Sequence, residues 1–181
     1  GFIYLLLAVF VYIQAKGLIA KEGKELSYVR RINYLFFTSC LLNAAWIFAW
    51  HYLQVFLSLV IMILLLINLI AIYKALNNKG GIDKEAGGKL ARVAFSVYLG
   101  WITIATVANV TALLVHLDWN RFGLSEVFWM IVVMIISTLI VILFMYDNKD
   151  WIYGSVALWA FFGIIYKRLT VEPVIYSVVV T

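Results

Sequence analysis

The chain has 181 residues, of which 66% are hydrophobic and 13% are charged, and it carries a formal net charge of +5. Soluble domains carry about 25% charged residues, so this composition excludes a soluble globular protein. The apolar runs are too long and too continuous for a membrane β-barrel, whose segments alternate over about ten residues. The sequence therefore predicts an all-α polytopic membrane bundle that forms one transmembrane domain, 1–181.

Apolar runs predict six membrane spans and the start of a seventh, since crossing a bilayer takes about 20 residues. The six are residues 1–15, 32–50, 53–73, 90–115, 125–146 and 151–166. Pro173 opens the truncated seventh, and both chain ends fall inside apolar sequence, so we expect a piece of a longer protein. The turn at His51 and Tyr52 is so short that the second and third spans are predicted to be antiparallel neighbours.

Lysine and arginine are distributed unevenly between alternate loops. Of the 14 residues, 11 lie in loops 16–31, 74–92 and 146–151, and three lie in loops 51–54, 116–124 and 167–173. The positive-inside rule places the first set of loops in the cytoplasm. Because membrane topology accounts for the positive charge, we do not expect nucleic-acid binding.

Charged and catalytic groups are missing from the middle of the predicted spans. Proton-coupled pumps and ion channels usually carry an intramembrane charge, so both classes are disfavoured. The spans offer no carboxylate pair, Ser-His-Asp set or Cys-His set for catalysis. His51 and His116 lie at span ends without partners at ligand spacing, so no metal site is predicted. Cys40 lies in an apolar span, which favours a buried structural thiol.

One narrow face of the fourth span carries polar, aromatic and small side chains. Lipid offers an amide no hydrogen-bond partner, so we expect Asn109 to bind a neighbouring helix or a pocket water. The second span repeats the pattern with Ser39, Asn43, Trp46 and Trp50. At about 100° per residue, the face of the fourth span contains Ala94, Tyr98, Trp101, Ala105, Asn109, Ala112 and His116.

Two interpretations of the polar and aromatic residues within spans stay open. Asparagine, serine and threonine often join membrane helices through hydrogen bonds. Large aromatic side chains beside small residues can instead flank a slot for a planar apolar ligand, which is the alternative for Trp46 and Trp101. The helix-joining role is expected for Asn68, Thr103, Thr111, Ser137 and Thr138.

Three short motifs resemble those of one known family. Tyr98-Leu99-Gly100-Trp101, followed by Ala105 and Asn109, resembles the fifth-helix signature of the TspO/MBR family, the translocator and tryptophan-rich sensory proteins. Leu42-Asn43-Ala44-Ala45-Trp46 is similar to the family's Leu-Asn-x-x-Trp, and Gly1-Phe2-Ile3-Tyr4 to the end of its second-helix motif. The motifs occur in family order within 1–115. Residues 116–181 are therefore expected to be additional C-terminal helices, as in the longer bacterial members.

The resemblance implies binding of a planar hydrophobic molecule, a porphyrin or other tetrapyrrole such as haem, for sensing, regulation or transport. No cofactor is required and no enzyme activity is expected, although the resemblance leaves porphyrin degradation open. The implied ligand-binding residues are Trp101, Tyr98, Trp46, Asn43, Ala105, Asn109 and Tyr4.

The expected surroundings are the bacterial cytoplasmic membrane, with the lipid bilayer and the ligand as partners and a homodimer left open. Two other functions stay open as well. A transporter for a small metabolite or lipid is expected to have helices that are broken near the membrane midplane. A structural membrane subunit, whose spans only pack, is expected to have no cavity behind Trp46 and Trp101.

Overall fold

The computed structural model describes residues 2–19, 27–77 and 87–171, and these residues form helices and turns without any strand. This architecture confirms the predicted all-α bundle. The six α-helices are α1 (Phe2–Ile19), α2 (Ser27–His51), α3 (Val55–Asn77), α4 (Gly88–His116), α5 (Glu126–Asn148) and α6 (Trp151–Val171).

Among the described residues, four helices are long and apolar enough to cross a membrane. They are Ile32–His51 within α2, and the whole of α3, α4 and α5. The first and sixth predicted spans correspond to shorter apolar stretches, Ile3–Tyr12 within α1 and Trp151–Tyr166 within α6. The predicted seventh span at Pro173 lies outside the described residues.

Local chemistry sets several helix ends. The Ser125 hydroxyl accepts a hydrogen bond from the Phe128 N–H at 3.2 Å, as expected of an N-terminal capping residue of α5. Before α4, Gly87 takes a left-handed φ of 79°. The short turn between α2 and α3 needs the same conformation at Leu53, with φ of 56°, and Gln54 N–H closes it on the Ala49 carbonyl at 2.9 Å.

The packing centre consists of α3 and α4. Helix α3 packs against α2 and α4, and α4 packs against α6 and, on its other side, against α1. Helices α4 and α6 approach closely at Gly100, where an added Cβ would lie 2.8 Å from the Tyr153 carbonyl oxygen. Glycine is therefore needed at position 100 for this helix crossing.

Hydrogen bonds from two buried side chains join these helices. Asn68 Nδ2 donates to the Leu35 carbonyl at 2.8 Å, which joins α3 to α2. Tyr153 donates its hydroxyl to Thr103 Oγ1 at 3.0 Å, which joins α6 to α4. The predicted helix-joining roles of Asn68 and Thr103 are confirmed.

The same prediction is wrong for three other residues. Thr111, Ser137 and Thr138 each donate to a carbonyl four positions earlier in their own helix, at 3.1, 2.7 and 2.7 Å. A β-hydroxyl reaches this carbonyl without any neighbouring helix, so its hydrogen bond is satisfied locally.

Asp150 is the junction between three helices at one end of the bundle. Its Oδ1 accepts the Ile152 and Tyr153 N–H groups, both at 3.1 Å, and so caps α6. Its Oδ2 accepts the Tyr73 hydroxyl at 2.9 Å and the Ser96 hydroxyl. These bonds bring the last turns of α3, the first turns of α4 and the start of α6 to the same end of the bundle, in agreement with the alternation used for the topology. The cytoplasmic assignment of that end stays a prediction.

Candidate functional site

A groove with a volume of about 710 Å³ lies between α1 and α2, with α4 behind it. We call it the α1/α2 groove. Volumes of about 300–1,000 Å³ are typical of small-molecule sites. Its lining consists of Tyr4, Leu7, Ala8, Val11 and Tyr12 from α1, Phe36, Ser39, Cys40, Asn43, Ala44 and Ile47 from α2, and Tyr98 from α4.

The helical repeat of the sequence produces the two walls of the groove. The lining positions recur every three or four residues in both helices, so each wall is one helix face. Ala8 and Ala44 leave space between the faces because their side chains are short. A cluster of three edge-to-face rings, Phe10, Phe36 and Phe95, fixes α1 against α2 and α4 with centroids 5.4–5.9 Å apart.

The polar side chains in the groove have few hydrogen bonds. Asn43 Nδ2 donates to the Tyr4 hydroxyl over a long 3.5 Å. Tyr98 is only 6% exposed, and its hydroxyl has no hydrogen-bond partner among the described residues. A ligand group that accepts a hydrogen bond from this hydroxyl gains about 0.5–1.5 kcal/mol.

The structure brings three of the seven sequence-predicted site residues together. Tyr4, Asn43 and Tyr98 line the α1/α2 groove, one from each of three helices. Trp46, Trp101, Ala105 and Asn109 do not line it. Their ligand-binding roles stay predictions, but the slot expected between the two tryptophans is not where this groove lies.

The stripe on α4 divides between buried and exposed positions. Asn109 is buried and accepts a hydrogen bond from Ser58 Oγ of α3 at 2.9 Å, which confirms that this amide binds a neighbouring helix. Trp101, in contrast, is 44% exposed. Each residue of an α-helix rotates the side-chain direction by about 100°. Three residues therefore leave Tyr98 and Trp101 pointing about 60° apart around the helix axis. That divergence is enough to carry one ring to the groove and the other to the surface.

Trp46 lies one turn beyond Asn43 on α2. Its ring stacks on Trp50 with centroids 5.9 Å apart and an interplanar angle of 21°. Its Nε1 is buried and has no hydrogen-bond partner. Trp46 therefore packs against the core beside the groove and does not line it.

Cys40 corrects a prediction made from the sequence. Its side chain is exposed and lines the α1/α2 groove, whereas a buried structural thiol was predicted. The signal that could have placed it is its spacing. Phe36, Cys40, Asn43 and Ile47 follow a four-three-four repeat, so the thiol shares the face of the family motif residue Asn43.

No curated protein and no solved structure matches the chain. The family model described as TSPO-like protein matches residues 1–181, and so extends past residue 115, the limit predicted from the three motifs. Together with four apolar helices of membrane-spanning length, this match identifies a membrane protein of the TspO type. The chain belongs to the TSPO-like protein family.

Proposed function

We propose that this membrane protein binds a planar hydrophobic small molecule of the tetrapyrrole type in the α1/α2 groove, for sensing, regulation or transport. The observation that carries the proposal is Tyr98 at the back of an apolar groove of about 710 Å³, whose hydroxyl has no hydrogen-bond partner among the described residues. Membership of the TSPO-like family supports it, because Tyr4, Asn43 and Tyr98 are motif residues.

Apolar walls supply the binding energy in this proposal. Leu7, Val11 and Ile47 offer aliphatic surface, and Phe36 offers an aromatic ring for a flat ligand. Burying apolar ligand surface contributes about 25 cal/mol per Å². The Tyr98 hydroxyl and the Asn43 amide then orient the ligand, and the long Tyr4–Asn43 bond is weak enough to exchange for a ligand contact.

We propose that the α1/α2 groove binds its ligand without chemically changing it. The described lining contains hydroxyl, amide and thiol groups and neither a carboxylate nor an imidazole. General acid–base catalysis uses those two groups most often. Porphyrin degradation is therefore left out of the proposal.

No observation on the described residues favours the two alternative functions, a transporter or a structural membrane subunit. A transporter is expected to have helices broken near the midplane. Among the described residues, those with positive φ lie at helix ends or between helices. A purely structural subunit is the interpretation that a failure of ligand binding would favour.

Neighbouring alanines on α2 provide a matched test. Both Ala44 and Ala45 are exposed, but Ala44 lines the groove and Ala45 does not. We expect Ala44→Phe to fill the groove and lower porphyrin affinity at least about tenfold, while Ala45→Phe leaves it unchanged. The measurement is porphyrin absorbance titrated against protein in lipid nanodiscs, with empty nanodiscs as the reference. Equal effects of the two variants would place the site elsewhere, and absence of binding by the unmodified protein would contradict the function.

A further inference from the structure

The described lining of the α1/α2 groove carries no charge. Its polar groups are hydroxyls, one amide and one thiol, from Tyr4, Tyr12, Ser39, Cys40, Asn43 and Tyr98. The described basic residue nearest along α4, Arg92, is six residues from Tyr98, about 9 Å along the axis. Arg92 already has an interaction of its own and does not line the groove.

This lining has a consequence for ligands that carry carboxylates. An ionised carboxylate that leaves water without a cation or several donors is strongly disfavoured. An ester or ring carbonyl is different, since it needs a single donor. Tyr98 offers such a donor, because its hydroxyl has no hydrogen-bond partner among the described residues, and Asn43 Nδ2 is a second donor within the same groove.

We propose that the α1/α2 groove takes an uncharged ligand, a flat apolar ring system with a neutral hydrogen-bond acceptor that binds the Tyr98 hydroxyl and without an ionised carboxylate. This inference rests on the proposed function and names the class of ligand for the same site. The apolar walls bind the ring, and the pair of donors from Asn43 and Tyr98 selects a neutral acceptor over an anion.

Protoporphyrin IX and its dimethyl ester are suitable probes, because they share one ring system and differ in the charge of two side chains. Each is titrated into nanodiscs that contain the unmodified protein or Ala44→Phe. The filled-groove variant serves to subtract partition of the more apolar ester into lipid. We expect groove-specific affinity, referred to the lipid-phase concentration, to be at least about tenfold higher for the diester.

The hydroxyl itself is tested by Tyr98→Phe, which removes one oxygen atom. We expect roughly a two- to tenfold loss of diester affinity, the usual range for one hydrogen bond. The matched control is Tyr34→Phe on α2, since Tyr34 is 84% exposed and outside the groove, and it is expected to change nothing.

A gain of function is expected when a cation is added. Ile47 lines the groove one turn from Asn43, whereas its neighbour Phe48 is exposed outside the groove. Ile47→Lys is expected to shift the preference toward the dicarboxylate at least about fivefold, and Phe48→Lys is expected to leave the preference unchanged.

The outcomes separate this inference from the proposed function. If the free acid binds the unmodified protein as tightly as the diester and Ala44→Phe abolishes its binding, the groove is the site but the inference of an uncharged ligand is overturned. An unchanged preference in Ile47→Lys also overturns it. If neither porphyrin binds better to the unmodified protein than to Ala44→Phe, both the inference and the proposed function fail.

Discussion

Two buried tyrosines on different sides of α4 show how its surroundings differ. Tyr153, 2% exposed, comes from α6 and donates its hydroxyl to Thr103 at 3.0 Å. Tyr98, 6% exposed, faces α1 and α2 and has no hydrogen-bond partner among the described residues. The two tyrosines are buried to a similar extent and carry the same hydroxyl group. They differ in whether a neighbouring helix offers that hydroxyl a hydrogen-bond partner.

The asparagines repeat the comparison. Asn109 of α4 accepts from Ser58 of α3 at 2.9 Å, and Asn68 of α3 donates to the Leu35 carbonyl of α2 at 2.8 Å. In the groove, Asn43 reaches Tyr4 only at 3.5 Å. The polar groups that join α3 to α2 and α4, and α6 to α4, are therefore satisfied within the fold, while Asn43 and Tyr98 in the groove are available to a ligand. Polar residues of the first region stabilise the bundle, and those of the second are expected to act in binding.

The largest expected effect comes from breaking the satisfied region at Asp150. Asp150→Ala removes the acceptor for the Tyr73 and Ser96 hydroxyls and the cap of α6, so we expect a loss of about 2–4 kcal/mol in the free energy of unfolding. Thermal unfolding in detergent measures it. The control is Asp147→Ala, an exposed carboxylate near the same turn. Equal losses for both variants would contradict the junction role.

The next effect tests the close packing of α4 on α6. Gly100→Ala places a methyl group 2.8 Å from the Tyr153 carbonyl oxygen, so the helices must separate, at a cost of about 1–3 kcal/mol. Gly163→Ala in α6 is the matched control, because its added Cβ meets nothing within 4 Å. We expect a lower melting temperature for the first variant and an unchanged one for the second. An unchanged melting temperature in Gly100→Ala would show that the helices are not in such close contact.

A smaller gain is expected at the turn that joins the groove helix α2 to the core helix α3. Leu53 has φ of 56°, a left-handed conformation that glycine adopts without steric cost. Leu53→Gly is expected to stabilise the protein by about 0.4–1 kcal/mol and to leave porphyrin affinity unchanged. Leu117→Gly is the control, since Leu117 has φ of −85° and offers no strain to relieve. Unfolding midpoints measure both, and a loss of stability in Leu53→Gly would contradict the prediction.

The smallest expected effect distinguishes binding in the α1/α2 groove from binding at Trp101, the site that the family resemblance implies. The resemblance predicts that Trp101→Ala removes stacking worth about 1–3 kcal/mol, or about 5- to 150-fold in affinity. Trp101 lies outside the groove and is 44% exposed, so binding in the groove predicts less than about a twofold change. Porphyrin titration of Trp101→Ala beside Trp151→Ala, an exposed control, decides between them. A large loss in Trp101→Ala alone would favour the site implied by the resemblance.

Sequence reasoning predicted the bundle because apolar length is a strong signal. The spans at 32–50, 53–73 and 90–115 correspond to α2, α3 and α4, and the hydrogen bond of Asn109 followed from the absence of partners in lipid. Helix ends were less predictable. The loop predicted at 16–31 is shorter, because α1 continues to Ile19 and α2 begins at Ser27.

The candidate site was predictable only in part, because a stripe on one helix does not say which neighbour faces it. Tyr98 and Trp101 belong to the same stripe, yet only the first lines the groove. Cys40 was missed because a lone thiol in an apolar span resembles a core residue. Its register with Asn43 becomes informative once α1 is known to lie opposite.

Titration of Tyr98→Phe and Tyr153→Phe with the porphyrin diester shows whether the ligand binds at the Tyr98 hydroxyl in the α1/α2 groove. Each variant loses one hydroxyl from a nearly buried ring, and affinities are compared per folded protein. We expect Tyr98→Phe to lose roughly two- to tenfold in affinity and Tyr153→Phe to bind like the unmodified protein. Unchanged binding in Tyr98→Phe, or equal losses in both variants, would contradict the claim that the α1/α2 groove is the ligand site.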